Sequence, residues 1–462
     1  MPHCTFLGGL DLVSSSSGTD LSGMSNEAQD TVPATIVYGG IAYNDLFHKK
    51  TLYTDRDPSL KDVTIAESPY SSLSLLFRRP HWGIAPSLCL TRTYVRAESV
   101  PGNYDLTLQQ NRDNAGIALW GDLLGLRAGV RMRYLPVSHD VNTLFHLGWR
   151  SDHVTAGIYA ATSTLAHLKM IVTQAGAPLS VSLHALCDEA GGIASFKTRF
   201  VSARLHVCGL AIRSDTAGTG ISSLATVLDG GGRMIDGLAR ADSLPAAPRI
   251  SFCASTLSWK AAGYDGGNRY ATIDTCDFSA YGGEASVAPV WRIRAGVFIE
   301  MVDSRNKNHG LFDPFPFSSL TFFKQDKYRI DSLRALVNNW GFFLSRDFPF
   351  LSRHCVSLDA AVSHCVIAAS ADTRTYDFTY LLPRLINPQK YRLADKELYL
   401  VRLSLGYAFT WGNLTANLGA TQYVPVEKQA VSSHPQGAAP PSNEKTTMYG
   451  GTLYSASLSY GF

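Results

Sequence analysis

In the run WRIRAGVFIEM, Trp291, Ile293, Ala295, Val297, Ile299 and Met301 take every second place, with Arg292, Arg294 and Glu300 between them. Successive side chains of a β-strand point to opposite faces, so a period of two puts the apolar set on one face and the charges on the other. The division recurs along the chain. Leu126, Ala128, Val130, Met132 and Tyr134 oppose Arg127, Arg131 and Arg133, and Val201, Ala203, Leu205 and Val207 oppose Ser202, Arg204 and His206. Val356, Leu358, Ala360 and Val362 oppose Ser357, Asp359 and Ser363. Tyr399, Val401, Leu403, Leu405, Tyr407, Phe409 and Trp411 oppose Arg402, Ser404, Gly406 and Thr410. Such a chain is all-β and antiparallel, and its charged face needs a compartment of its own.

Water and lipid both fit a single alternating strand. In water the apolar face turns to a core; in lipid it turns outward and the polar face lines a lumen. Charged residues make up 17% of the 462-residue chain, against about 25% in an ordinary soluble domain. Tyr and Phe number 21 each. No run reaches the roughly 18 apolar residues of a membrane helix. A barrel spreads its membrane signal over many short segments in this way. The last strand is the sharpest case: Tyr454, Ala456, Leu458, Tyr460 and Phe462 share one face, and Ser455, Ser457, Ser459 and Gly461 the other. Chain ends usually fray; this one finishes on a patterned aromatic.

Connections alternate as an up-and-down barrel requires. The tight pair Gly412-Asn413 precedes LTANLGATQY, and the long polar stretch Val424–Thr446 follows it. Pro383–Lys396 is read as another long link, and Ser370-Ala371-Asp372 as a short turn between strands His354–Ala369 and Tyr376–Leu381. The count of strands is roughly 16–20, an even number being expected. Residues 1–33 form an N-terminal polar segment, a plug or a mis-assigned start, ahead of a barrel over 34–462. No signal peptide is visible in the opening MPHCTFLGGLDLV, which lacks a positively charged n-region. Residues 214–248, with Gly230-Gly231-Gly232 and some helical spacing, read as a long link or a lumenal insertion. The eight cysteines show no metal-binding spacing and read as unpaired structural residues, a disulfide remaining the alternative.

The terminal Phe462, with Tyr454, Ala456, Leu458 and Tyr460 on its face, resembles the C-terminal signal of bacterial outer-membrane β-barrel proteins. The resemblance implies a closed antiparallel transmembrane β-barrel with short periplasmic turns and long extracellular loops. It also implies a bacterial outer-membrane location, with membrane lipid and the barrel-assembly machinery as partners. In size the chain is similar to the long-chain fatty-acid transporter family, but the Asn-Pro-Ala motif expected near that family's N-terminus is absent.

Chemistry is sparse. GISSL has Leu224 where a nucleophile elbow needs its second glycine. His139, His146 and His153 follow no metal-ligand spacing, and Asp303, Asp313 and Asp331 fall in connections. The expectation is a non-enzyme with no cofactor, no metal and no nucleic-acid footprint, the formal net charge being only +3. The functional lead is the charged face. Arg127, Arg131, Arg133, Arg204, Arg292, Arg294 and Arg402, with Glu300 and Asp359, are expected to line a pore that takes up small solutes, passively or by specific recognition. The alternative for the arginines is pairing with Glu300, Asp359 and other carboxylates to brace the wall. The alternatives for the whole protein are a structural or adhesive surface barrel with a blocked lumen, and a soluble exported β-rich protein.

Overall fold

The computed structural model describes residues 34–53, 61–99, 104–111, 113–174, 177–214, 223–241, 243–244, 246–265, 268–290, 293–308, 327–377, 384–429, 444–449 and 451–462. The proposed N-terminal segment 1–33 lies outside them. Twenty strands follow in order: β1 (Ala34–Tyr53), β2 (Lys61–Arg79), β3 (Trp82–Ser99), β4 (Tyr104–Asn111), β5 (Asn114–Leu123), β6 (Leu126–Leu135), β7 (Asp140–Arg150), β8 (Val154–Gln174), β9 (Ala177–Lys197) and β10 (Ser202–Ser214). Then come β11 (Ser223–Arg240), β12 (Arg249–Asp265), β13 (Asn268–Val290), β14 (Ile293–Asn308), β15 (Lys327–Phe350), β16 (His354–Asp377), β17 (Arg384–Trp411), β18 (Leu414–Gln429), β19 (Glu444–Tyr449) and β20 (Thr452–Gly461).

Apart from the junctions at β4–β5 and β18–β19–β20, each strand pairs with its chain neighbours, and the sheet closes where β1 pairs with β20, Gly40 opposite Ser457. The final backbone donor is used too: Phe462 N–H donates to Thr35 O at 2.8 Å. That bond, with the β18 ladder on the other side of β20, holds a terminus that would otherwise fray.

Two pairs of segments share single places in the wall. β4 and β5 meet β3 in one continuous register, Arg92 opposite Asn111 and Cys89 opposite Asn114. At the interruption Asp113 takes the place of the ladder, accepting from Thr91 N–H at 3.1 Å. β19 and β20 meet β1 in one register in the same way. The closed wall therefore has 18 strands, within the expected range and even in number. Two local departures stand at the end away from the chain termini. Beyond the tip of the short β6–β7 hairpin, β4 pairs directly with β8, Leu108 opposite Met170. Beyond the end of β10, Ser223, Leu224 and Ala225 lie parallel to Ser180, Val181 and Ser182 of β9.

The connections at the terminal end are short: 80–81, 124–125, 151–153, 198–201, 351–353 and 412–413, with 241–248 the longest. Gly412 adopts φ +58, the left-handed start that a two-residue hairpin turn demands. Connections 54–60, 309–326 and 430–443 at the other end lie outside the described residues.

Several boundaries differ from the sequence reading. Ser223–Arg240, read as link or insertion, is wall strand β11, paired on both sides. Its three glycines let neighbours come close. A β-carbon at Gly232 would lie 2.1 Å from Thr256 O, and one at Gly231 would lie 2.7 Å from Leu210 O. Ser370, Ala371 and Asp372 are no turn: they pair with β15 and β17 inside a 24-residue β16. Most of the polar stretch 383–396 is the first half of β17. Strands this long outrun the ~9–11 residues that cross the hydrocarbon. Beyond the bilayer water wets the outer face, so polar residues there do not mark turns.

Polarity across the wall is inverted relative to a soluble protein. Ile158, Ile299 and Phe342 point outward with exposures of 66, 62 and 61%. Arg131, Glu189, His206, Glu300, Asn339 and Arg402 are buried on the inner face. In water such an apolar exterior would drive association; in a bilayer it is the required surface. A closed sheet is also one of the two ways a chain satisfies every backbone group there. The soluble reading fails on this point. Trp82, Trp149, Trp411 and Phe462 stand outward near the turn end, as an interface girdle should. Tyr399 also faces outward.

Arginine at Val297 or Leu403 would meet lipid and should lower stability in vesicles by about 2–4 kcal/mol near the midplane. At inward Ser404, which gives up only a hydroxyl contact with Thr421 at 2.9 Å, it should be far milder. Gly296 is no such control, because its β-carbon would lie 2.4 Å from the Phe343 ring. Equal tolerance at Val297 and Ser404 in urea titrations of vesicle-inserted protein would reverse the facing.

Candidate functional site: the inner face of the barrel

Register and burial place Arg127, Arg131 and Arg133 of β6, Arg204 of β10, Arg294 and Glu300 of β14, Asp359 of β16 and Arg402 of β17 on the inner face. Arg292 lies outside the described residues. Tyr454, Leu458, Tyr460 and Phe462 are exposed outward, and Ala456 shares their face.

The inner charges are both braced locally and unevenly spread round the wall. Some are braced across neighbouring strands. Arg402 donates to Asp359 at 2.6 Å, Arg127 to Asp122 at 3.1 Å, and Asn339 to Glu300 at 3.0 Å. Arg294 reaches Ser286 at 3.2 Å. Of these, Arg402 and Arg127 are arginines paired with a carboxylate, the arrangement of the alternative reading. Arginines also concentrate in one arc of the wall. Strands β5, β6 and β7 carry four arginines, 127, 131, 133 and 150, against two carboxylates, Asp122 and Asp140. His146 joins the arc by packing over Gly129, where a β-carbon would lie 2.2 Å from its ring. Half-way round the 18-place ring, on β13–β16, the inner face presents Glu284, Glu300 and Asp359. The arginine-rich arc thus faces a side of the wall that carries these three carboxylates along with Arg294.

A second polar group was missed by sequence reasoning, because its members come from four strands. The Tyr159 hydroxyl of β8 donates to the Glu189 carboxylate of β9 and lies 2.6 Å from His206 Nε2 of β10. His206 Nδ1 lies 2.7 Å from the Asp236 carboxylate of β11, which Arg204 also approaches at 3.5 Å. Period two put His206 and Arg204 on the inner face, but only the register brings Glu189, Tyr159 and Asp236 to them. His139, His146 and His153 stay apart. His139 contacts Tyr134 at a turn (2.9 Å) and His153 contacts Lys197 O (3.2 Å).

Towards the loop end both faces change character. Outside, Arg213 meets Asp188 at 3.1 Å, Ser258 donates to Asp277 at 2.7 Å, and Asp303 takes both Arg305 (2.8 Å) and Arg334 (2.9 Å). Inside, Cys187, Cys208, Leu210, Ile212 and Leu257 cluster, with Trp259 and Phe278 against them. Asp303, read as a connection residue, belongs to this outer polar belt. A ring of outward ion pairs and hydrogen bonds suits the height at which a barrel wall leaves the hydrocarbon, where charges become cheap to expose. None of the seven described cysteines forms a disulfide, and all face inward.

No family profile matches the chain, and no curated protein does. Solved barrels resemble it at low identity. Pseudomonas aeruginosa OccK9 (OpdG) is 11% identical, with 93% of this chain and 98% of that one covered, at a TM-score of 0.38. A Pseudomonas aeruginosa FadL homologue is 11% identical, covering 92% and 90%, at 0.36. A bacterial polysaccharide outer membrane secretin is 9% identical, covering 92% and 98%, at 0.31. The chain has the architecture of an outer-membrane β-barrel. Its own pairing and facing establish that barrel, and likeness at this level says nothing of substrate.

Proposed function

We propose that this barrel is a channel or transporter of the bacterial outer membrane that passes small solutes and favours anions. The arginine arc on β5–β7 carries the reading. Fixed positive charge in a confined, partly low-dielectric passage lowers the entry cost of anions and raises that of cations. A wall of 18 strands supports it, since barrels of that size enclose an aqueous channel. In this reading the turn end is periplasmic, the outward aromatics meet outer-membrane lipid, and the barrel-assembly machinery reads the last strand.

In a planar bilayer the purified protein should conduct and prefer anions. Arg131→Gln with Arg133→Gln should move the reversal potential toward cations, more at low salt where screening is weaker. Conduction with unchanged selectivity would assign these arginines to the wall alone. Absence of conductance would favour a structural or adhesive barrel with a blocked lumen.

Deleting Phe462 removes the last girdle residue and the backbone bond to Thr35. Cells making the truncated chain should show less heat-modifiable barrel in the outer membrane and more degraded protein in the periplasm. Unchanged assembly would dissociate the terminal pattern from the assembly machinery.

A further inference from the structure

We propose that Glu189, His206 and Cys208 form a binding site for a borderline-soft divalent cation of the zinc class on the inner wall. The ligand atoms of the three, a carboxylate oxygen, an imidazole nitrogen and a thiol sulfur, all lie within 4.8 Å of one another. All three residues are buried, at 5, 3 and 2% exposure. His206 and Cys208 are two apart on β10 and so share a face, and pairing with β9 brings Glu189 alongside. Gly191 makes the approach feasible. A β-carbon there would lie 2.7 Å from Cys208 Cβ and 2.8 Å from the Tyr159 ring.

Beyond proximity, the partner of the other imidazole nitrogen points to a cation. His206 Nδ1 lies 2.7 Å from Asp236, so its proton is held there and the Nε2 lone pair is turned toward the cluster. A carboxylate on the far nitrogen is the usual support of a metal-bound histidine, fixing tautomer and ring orientation. A cation would take the Glu189 carboxylate, His206 Nε2 and the thiolate of Cys208 as ligands, the thiol proton passing to solvent. Sulfur, nitrogen and oxygen donors together suit zinc, and three protein ligands leave a fourth position for water or solute. Calcium and magnesium, which require oxygen ligands, do not fit.

The test is cobalt(II) titration of the full-length barrel in detergent, because cobalt substitutes for zinc and reports sulfur ligation by a near-ultraviolet charge-transfer band. One equivalent should bind with that band, and zinc should displace it. Cys208→Ser should abolish the band. His206→Gln should abolish it as well while leaving every cysteine in place, which separates this site from the other inward thiols. Asp236→Asn should weaken binding by about 10–100-fold. Tyr159→Phe, which removes the competing hydroxyl, should bind at least as tightly as the parent. Each variant is first checked for compact migration before boiling, so that loss of binding is not loss of the barrel. No binding by the folded parent would overturn the site, as would a band that survives His206→Gln. Loss of binding in Tyr159→Phe would make the phenol a ligand and overturn the three-residue assignment.

Discussion

Everything in this barrel depends on the ladder between its first and last strands. In hydrocarbon, each unpaired backbone N–H or C=O costs several kcal/mol, so a sheet that fails to close cannot stay there. β1 supplies both faces of the join, to β2 on one side and to β19 and β20 on the other. Closure fixes the register, and register with period-two facing then determines which side chain meets lipid and which meets the lumen.

That division explains where the charges are. Arginines and carboxylates buried in a soluble core would have to be paired or neutralised. Here their compartment is the lumen, so the wall can gather arginines on β5–β7 and carboxylates on β13–β16 at opposite sides. Where neighbouring strands do offer a partner, as Asp359 does for Arg402, the pair staples the wall. The same division changes with height. Once the strands pass the outer polar belt, water reaches their outer face, and apolar side chains such as Leu210 and Leu257 appear inside instead.

Legibility in the sequence followed the surrounding medium. β6, β10, β14, β17 and β20 were readable because lipid on one side and water on the other enforce strict alternation. Above the bilayer that pressure disappears, which is why Ser370–Asp372 passed for a turn and the first half of β17 for a loop. β11 was hidden by its glycines and by Asp229 and Arg233 on the outer face of its upper half. The arginines were legible by face, but whether each is braced was not, because partners such as Asp122 and Asp359 are set by register between strands. The Glu189, Tyr159, His206 and Asp236 group was illegible for the same reason: its members lie far apart in the chain and meet only in the closed sheet.

The central claim is that the wall separates lipid from lumen residue by residue, and a nitroxide scan along β14 tests it most directly. In a variant with serine for its native cysteines, labels placed singly from Val297 to Arg305 in lipid vesicles would report contact with oxygen, which concentrates in the bilayer, and with an aqueous nickel chelate. The account predicts high oxygen contact at Val297, Ile299 and Met301, low oxygen contact at Phe298, Glu300 and Val302, and access to the chelate from Asp303 outward. Oxygen and chelate contact that vary without alternation, or oxygen contact that persists through Asp303 and Arg305, would contradict it.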